Sequence, residues 1–354
     1  MICDSIADTV GRTPLVRLRH LTAGNGSEIL VKLEGHNPGG SVKDRAALSM
    51  ITRAERDGRL KPGGTIIEST SGNLGKALAL IGAARGYRVI LVTDPKAAGS
   101  FLGYVTALGA EVHVVRKPDE LGYQLPRLVK VKELLEKHPD AFWPDQYNNP
   151  DNPRIHAEQT AYELLDEVPN LDALIVAVGT GGHISGLSAT LKRELPRVTT
   201  VGVDVVGSAA FGFPYQPWEM RGLGIAFPPG NLHAHLVDKV HPVTDPEGFA
   251  TTRLLARAEG LLLGESSGAA VFSALHYAAH HPNSRVVAVA PDTGVNYLGE
   301  SFEDGWLDER GILVRMKERD LFTVRGLLAA ARDPEYATVL LAHAPEVREL
   351  RKSA

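Results

Sequence analysis

The sequence predicts an α/β protein made of two open sheets with helices on both faces. Apolar, β-branched runs alternate with helical segments along most of the chain, and such alternation is typical of parallel sheets. Glycine-rich or hydroxyl-rich loops follow several of these runs, where open sheets bind their ligands. A turn-rich stretch at residues 142–150 separates two groups of strand and helix pairs, so we expect a domain boundary near residue 150.

A glycine-rich turn joins the first long strand to the first helix. A strand is expected at residues 28–33 and a helix at 44–57. Between them residues 37–45 read Asn-Pro-Gly-Gly-Ser-Val-Lys-Asp-Arg, with Ser41 as the expected N-cap. Lys43 then lies in the first helical turn, where the positive end of the helix dipole favours a neutral amine that can form a Schiff base. For one lysine taken alone, an ordinary surface position is the more common case.

The remaining elements continue the alternation. Strands are expected at residues 65–68, 88–93, 111–115, 173–178, 200–206 and 285–290. Helices are expected at residues 76–85, 98–108, 122–137, 154–165 and 247–259, with two more that end at residues 193 and 280. Glycine and proline bound these segments, and β-branched residues mark the strands. A loop-rich section at 207–241, an apolar run at 261–263 and a charged, partly helical tail from 311 complete the chain.

Composition excludes several classes of protein. The chain has 354 residues, 44% of them hydrophobic, which is enough for two domains. Its 38 Lys and Arg against 42 Asp and Glu give a formal net charge of −4, which argues against nucleic acid or an anionic membrane as partner. The single cysteine, Cys3, excludes an internal disulfide and a cysteine-rich metal cluster. No apolar run reaches the length of a membrane span, so we expect a cytoplasmic protein without a metal.

Two loops are candidate anion sites. Residues 69–75 read Ser-Thr-Ser-Gly-Asn-Leu-Gly, and residues 179–186 read Gly-Thr-Gly-Gly-His-Ile-Ser-Gly after a continuously apolar strand. Each would present backbone N–H groups at a helix N-terminus, a cradle for carboxylate or phosphate. The second loop is neither a Walker loop nor a clean dinucleotide fingerprint. The alternative for the first loop is a plain strand-to-helix turn, and the alternative for His183 is an ordinary surface histidine. Ser266, at a later corner before a helix, has the alternative of a simple N-cap.

Four motifs together resemble a known family. They are Asn-Pro-Gly-Gly-Ser-Val-Lys-Asp-Arg, Ser-Thr-Ser-Gly-Asn-Leu-Gly, Gly-Thr-Gly-Gly and Gly-Glu-Ser-Ser-Gly-Ala-Ala. Over residues 5–298 the chain resembles the cysteine synthase and cystathionine β-synthase family, which are pyridoxal phosphate enzymes of fold type II. The resemblance implies pyridoxal 5'-phosphate as cofactor, a homodimer and the tryptophan synthase β-like fold of two doubly wound domains. It implies a smaller, mobile domain at 38–150, a larger cofactor-binding domain at 1–37 and 151–310, and a tail at 311–354.

The resemblance also implies roles for individual residues. Lys43 would bind the cofactor as a Schiff base, Asn73 would meet its ring hydroxyl, and Ser266 its pyridine nitrogen. The cofactor phosphate would be held by Gly179, Thr180, Gly181, Gly182 and His183, the last replacing a usual threonine. The substrate α-carboxylate would be held by Thr70, Ser71, Asn73 and Gln146. A serine, unlike an aspartate, does not keep the pyridine nitrogen protonated, which favours β-elimination.

Departures from the cysteine synthase pattern indicate a narrower branch. Leu74 stands where cysteine synthases commonly carry threonine, and residues 66–70, 93–96 and 146–147 also differ. These features are similar to the synthases that make N-(1-amino-1-carboxyl-2-ethyl)glutamate for 2,3-diaminopropionate in siderophore and peptide antibiotic biosynthesis. This branch implies O-phospho-L-serine and L-glutamate as substrates.

The expected reaction is a β-replacement. Lys43, once freed from the cofactor, would remove the α-proton; phosphate would leave, and the amine of glutamate would add to the β-carbon. Phosphate and glutamate both need cations, and Arg127, with Tyr147 beside it, is the expected one. Arg221 is a weaker candidate. The default for the basic residues of the helix at 122–137, Arg127 included, is a solvated face.

Three alternatives stay open. The first is a cysteine synthase that uses O-acetyl-L-serine and sulfide, against which Leu74 and Tyr147 argue. Cystathionine β-synthase is disfavoured because no extension of the size of a regulatory domain follows. The third is a cofactor-binding protein that has lost catalysis and acts through partners. The joint presence of Lys43, Asn73 and Ser266 argues against it, because a scaffold needs none of them.

Overall fold

The computed structural model describes residues 2–97 and 99–341. The strands of this part of the chain are β1 (Leu15–Arg17), β2 (Glu28–Leu33), β3 (Thr65–Ser69), β4 (Arg88–Thr93), β5 (Glu111–Val114), β6 (Ala173–Ala177), β7 (Thr199–Val205), β8 (Lys239–Val243), β9 (Arg285–Ala290) and β10 (Val339–Leu340). They form a seven-stranded sheet in the order β1-β2-β9-β6-β7-β8-β10 and a three-stranded sheet in the order β3-β4-β5. Pairing is parallel except at the two edges of the larger sheet, β1 with β2 and β10 with β8. The expected α/β class with two open sheets is confirmed.

Helices follow most of the strands. They are α1 (Lys43–Arg56), α2 (Asn73–Arg85), α3 (Gly99–Ala107), α4 (Gln124–Lys137), α5 (Asp151–Ile155), α6 (Ala161–Glu167), α7 (Gly182–Glu194), α8 (Asp245–Leu254), α9 (Glu265–His280), α10 (Asp304–Asp308), α11 (Ile312–Glu318) and α12 (Val324–Arg332). A π-helical turn, His156–Thr160, joins α5 to α6, and another, Leu255–Glu259, extends α8. None of the helices in the described ranges is long and apolar enough to cross a membrane.

Both faces of each sheet are buried, as expected for doubly wound sheets. One face of the larger sheet packs on α8, α9, α11 and α12 through side chains such as Phe272, and the other on α6 and α7 through Leu187. The smaller sheet packs on α1, α2 and α3 through Leu78 and on α4 through Val131. Because alternate side chains of a strand point to opposite faces, each apolar strand contributes to two cores.

Several boundaries differ from the sequence-based expectation. The helix expected at 154–165 begins earlier, at Asp151, with Pro150 as its N-cap, and the side-chain oxygen of Asn149 accepts a hydrogen bond from the Asp151 N–H (3.0 Å) just before it. The loop expected up to residue 241 contains the start of β8. This strand was not expected because its sequence includes His241 and Pro242, which are not typical of strands. The run at 261–263 is not part of any strand in the described part of the chain, and Leu263 forms an isolated bridge with Thr293.

The segment expected as a tail packs on the larger sheet in its first part. Helices α11 and α12 bury Met316 and Leu327 in the core, and β10 extends the sheet beside β8. The remainder of that segment, 342–354, lies outside the described residues. The division into domains at 38–150 and at 1–37 with 151–310 stays a prediction.

Candidate active site

Lys43 is placed by a turn that pairs with the chain after β9. The Val42 N–H donates to the Pro291 carbonyl (2.8 Å), and the Thr293 N–H donates to the Gly40 carbonyl (3.3 Å). Gly40 has φ +85°, a conformation that a side chain rarely adopts. The turn therefore brings the start of α1 to the carboxyl end of a central strand of the larger sheet.

The helix cap differs from the expectation. Val42, not Ser41, occupies the N-cap position, and it makes no side-chain capping bond. Ser41 lies one residue before the N-cap, and its hydroxyl oxygen accepts a hydrogen bond from the Lys43 N–H at 3.2 Å. The first turn of α1 is therefore held mainly by the backbone bonds to the chain after β9.

The amine of Lys43 is easier to deprotonate than that of a free lysine. Lys43 is partly buried, and burial lowers its pKa to about 8, opposed by the nearby Asp292 carboxylate. The direction agrees with the sequence-based expectation, but desolvation is the main cause rather than the helix dipole. Such an amine can exchange a proton near neutral pH.

Lys43 lines a small cavity together with the glycine-rich loop between β6 and α7. Gly179, Thr180, Gly181 and His183 form part of its wall. Gly181 has φ +79°, and a Cβ there would lie 2.5 Å from the Cα of Leu232, so only glycine fits. The N-terminus of α7 lies at this wall, and its N–H groups favour an anion.

Several buried polar atoms at this site have no hydrogen-bond partner among the described residues. They include Nε2 of His183, Oγ of Ser266 and Oδ1 of Asp292. Burial lowers the pKa of His183 to about 3, so its imidazole is neutral. Ser266 lies beside the cavity-lining Gly222, where a Cβ would come within 2.9 Å of Ser266 Oγ. Because unpaired buried polar groups are costly, these atoms indicate a ligand site.

The loop after β3 holds Thr70 and Asn73 near the same region. Thr70 Oγ1 accepts hydrogen bonds from the N–H groups of Gly72 and Gly75, both at 3.3 Å, and Ser71 is partly buried. Asn73 Nδ2 donates to Asp292 Oδ2 (2.7 Å), across 219 residues of sequence. Asn73 thus links the smaller sheet to the chain after β9, and its expected contact with a cofactor stays a prediction.

Gln146 lies between the two candidate anion loops. Its Nε2 donates to the Ser69 carbonyl (3.0 Å). Its own carbonyl accepts a hydrogen bond from Asn152 Nδ2 (2.8 Å), which also reaches Thr180 Oγ1 (3.2 Å). The structure therefore brings together the loop after β3, Gln146 and the glycine-rich loop, as the motifs predicted.

The expected cations are both paired with carboxylates. Arg127 is buried, and its Nη1 contacts Asp94 Oδ2 at 2.8 Å, so the default of a solvated face is wrong for this residue. Burial raises the pKa of Tyr147, and the nearby charge of Arg127 opposes this rise; the Tyr147 ring packs edge-on against Phe227.

Arg221 is partly exposed, and its Nη1 contacts Glu300 Oε1 at 3.2 Å. Its backbone N–H donates to Glu265 Oε2 at 2.7 Å. This bond ties the segment that contains the cavity-lining Gly222 to the start of α9. Arg221 thus lies near Ser266, whereas Arg127 lies close enough to Tyr147 for its charge to act there; the substrate-binding roles of both arginines stay predictions.

A buried ion network behind α1 was missed in the sequence. Arg45 Nε contacts Glu34 Oε2 (2.7 Å), and its Nη1 contacts Glu163 Oε1 (2.6 Å). Lys32 Nζ contacts Glu163 Oε2 at 3.0 Å. The available signal was a lysine inside the apolar strand β2, since a charge there needs a partner.

Asp292 was also missed as a site residue. It is buried, it faces Lys43, and its Oδ2 accepts from Asn73 Nδ2 and from the Tyr297 hydroxyl (2.5 Å). Burial raises the pKa of Asp292. Its place directly after an apolar strand, in Pro-Asp-Thr-Gly, was the available signal.

As for metals, no cluster of three or more candidate ligand side chains occurs within 2–97 and 99–341.

Comparison with known proteins gives consistent matches. Residues 6–292 match the family model described as "Pyridoxal-phosphate dependent enzyme". The chain is 39% identical to a cysteine synthase of Staphylococcus aureus (strain Mu50 / ATCC 700699), over 85% of this chain and 98% of that protein. It is 37% identical to the N-(2-amino-2-carboxyethyl)-L-glutamate synthase of Cupriavidus metallidurans, over 87% of this chain and 92% of that protein. A solved structure of an O-ureido-L-serine synthase mutant with O-ureido-L-serine bound is similar with TM-score 0.80 and 35% identity, over 88% and 99% of the two chains.

Proposed function

Since the chain belongs to the family of pyridoxal-phosphate dependent enzymes, as its four motifs predicted, we propose that it catalyses a β-replacement between O-phospho-L-serine and L-glutamate. The products are N-(1-amino-1-carboxyl-2-ethyl)-L-glutamate, a precursor of 2,3-diaminopropionate for an antibiotic or siderophore, and phosphate. The observation that carries the choice of substrates is the buried Arg127 beside Tyr147, next to Gln146. The similarity to the Cupriavidus enzyme supports it.

The residues around Lys43 fit pyridoxal phosphate. The cradle of Gly179–Gly182 and the N-terminus of α7 suit the phosphate, and the unpaired Nε2 of His183 adds a polar atom there. The unpaired Ser266 Oγ suits the pyridine nitrogen, and Asn73 the ring hydroxyl. When bound, the cofactor acts as an electron sink for the substrate α-carbon.

The remaining steps belong to side chains of this protein. Thr70, Ser71, Asn73 and Gln146 hold the substrate α-carboxylate in one orientation. Lys43, whose pKa of about 8 lets its Nζ take up or release a proton near neutral pH, removes the α-proton and later returns it. Arg127, fixed by Asp94, supplies positive charge to the departing phosphate or to the carboxylates of glutamate.

The decisive test compares donor and acceptor pairs with the purified holoenzyme. We expect phosphate release from O-phospho-L-serine that depends on L-glutamate. The product should have the mass of glutamate plus serine minus one water. O-acetyl-L-serine with sulfide should give much slower turnover. Turnover with acetylserine and sulfide alone would instead identify a cysteine synthase, the alternative favoured by the 39% identity to the Staphylococcus enzyme. No turnover with either pair would favour the non-catalytic alternative.

Arg127 is tested by its effect on the choice of donor. In Arg127→Ala we expect the ratio of kcat/KM for phosphoserine over acetylserine to fall by about 10- to 100-fold, because a charged hydrogen bond contributes roughly 1.5–3 kcal/mol. The matched control is Lys130→Ala on the same helix. Its ammonium contacts Glu133 (2.8 Å) on the exposed side of the helix, so its loss should leave the ratio unchanged. An unchanged ratio in Arg127→Ala would show that the role assigned to Arg127 is wrong.

The partners follow from the same proposal. Amino acid substrates are the expected ligands, and the homodimer implied by the family resemblance stays a prediction. The expected closure of the smaller domain over the substrate likewise stays a prediction.

A further inference from the structure

A buried glutamate lies directly behind the proposed binding site for the substrate carboxylate. Glu68, near the carboxyl end of β3, is 0% exposed. Its Oε1 accepts hydrogen bonds from the Ser69 N–H (2.6 Å) and from the Trp143 indole N–H (3.3 Å), and its Oε2 accepts one from the Gln146 N–H (3.2 Å). One side chain therefore connects the end of β3 to a segment 78 residues later.

Glu68 joins β3 to the segment after Phe142, beyond the point where the backbone pairing of the two segments ends. Residue Phe142 pairs with β3 through two backbone bonds, from the Ile67 N–H to the Phe142 carbonyl (2.9 Å) and from the Phe142 N–H to the Thr65 carbonyl (2.8 Å). After Phe142 the two segments are joined by the two bonds that the Trp143 indole N–H and the Gln146 N–H donate to Glu68, and by the bond from Gln146 Nε2 to the Ser69 carbonyl. The bond from the Ser69 N–H fixes the Glu68 carboxyl group to its own segment. Hydrogen bonds that involve the side chains of Glu68, Trp143 and Gln146 thus hold Gln146 at a fixed spacing from the loop after β3.

We propose that Glu68 is a positioning residue for the substrate carboxylate. It holds Gln146 at a set distance from the loop of Thr70, Ser71 and Asn73. This inference rests on the proposed function, because those four residues are the proposed carboxylate site. A site built from N–H groups and hydroxyls on two loops loses affinity when the loops shift by a fraction of an ångström, since each hydrogen bond depends steeply on distance and angle.

The test is the isosteric change Glu68→Gln. A glutamine offers one oxygen and one NH2 group, so at least one of the donors around residue 68 faces another donor. We expect KM for the amino acid donor to rise about tenfold or more while kcat changes less than about threefold. The cofactor should remain bound, which is read from its absorbance.

A binding measurement separates this role from general weakening of the fold. Titrations of the cofactor absorbance with L-serine and with L-serinamide compare a ligand that has the α-carboxylate with one that lacks it. The wild-type protein should prefer L-serine. In Glu68→Gln this preference should fall about tenfold, with little change for L-serinamide, because only the carboxylate site is disturbed.

Asp204 provides the matched control. It is also a buried carboxyl near the carboxyl end of a strand, β7, and its Oδ1 accepts from the N–H of the next residue, Val205 (3.0 Å). Within residues 2–97 and 99–341, its hydrogen bonds go to Val205 and Ser208 and none goes to a residue of the proposed carboxylate site. Asp204→Asn should lower the melting temperature without changing the preference for L-serine.

The outcomes are distinguishable. An unchanged preference in Glu68→Gln would make Glu68 a purely structural residue and overturn the inference. A wild-type protein with no preference for L-serine would instead refute the proposed carboxylate site. If Glu68→Gln does not fold, Trp143→Phe decides, because it removes one bond to Glu68 and leaves no backbone group unpaired: a two- to threefold fall in preference supports the inference, and no fall overturns it.

Discussion

Lys43→Ala is expected to lower turnover by at least about 10³-fold, because one amine serves both as the anchor of the cofactor and as the base for the α-proton. Without it, no other group described in the cavity wall offers an amine: the wall consists of glycines, apolar side chains, Thr180 and His183. His183 is a poor substitute base, since burial lowers its pKa to about 3.

The covalent link gives a readout that does not depend on activity. Borohydride treatment of the wild-type protein should fix the cofactor to the peptide that contains Lys43, and mass spectrometry should find no such adduct in Lys43→Ala. Lys76→Ala is the matched control, since Lys76 is also a partly buried lysine in the first turn of a helix that follows a strand and a polar loop. Its amine donates to Asn296 Oδ1 (2.8 Å), so its loss should leave the adduct in place. An adduct that persists in Lys43→Ala would refute the role given to this lysine.

The elements that the sequence predicts best are those that local chemistry defines. Strands β2, β4 and β9 were placed to the residue, since each is a continuous apolar run bounded by turn formers. Strand β8 was missed because its Lys-Val-His-Pro-Val sequence has neither strong alternation nor a continuous apolar run. Its backbone pairing with the neighbouring strands β7 and β10 makes it a strand.

The same distinction separates the site residues that could be predicted from those that could not. The glycine-rich loop and Lys43 lie in motifs whose turn chemistry is visible in a few consecutive residues. Glu68 and Asp292 act through partners 78 and 219 residues away, and no local spacing encodes such pairs. Arg127 was predicted as a substrate ligand, but its buried pairing with Asp94 required the fold.

Arg45→Leu is expected to cost about 3–5 kcal/mol of the free energy of unfolding, because it leaves the fully buried Glu34 without its ionic partner. Arg45 also contacts Glu163 in the first turn of α6, so its loss releases α1 from two neighbouring elements. Since Arg45 lies two residues after Lys43, we expect weaker retention of the cofactor as well. Urea unfolding followed by circular dichroism measures the first effect, and cofactor release on dialysis the second.

The size of this effect depends on burial and not on the loss of an arginine as such. Arg85 contacts Glu55 at 2.7 Å with both side chains about a quarter exposed, at 26% and 28%, so Arg85→Leu should cost less than about 1 kcal/mol. The double change Glu34→Leu with Arg45→Leu should be less destabilising than Arg45→Leu alone, because it removes the unpaired charge together with its partner. Equal losses in Arg45→Leu and Arg85→Leu would show that the buried network does not hold the first turn of α1, and that the backbone bonds to the chain after β9 suffice to place Lys43.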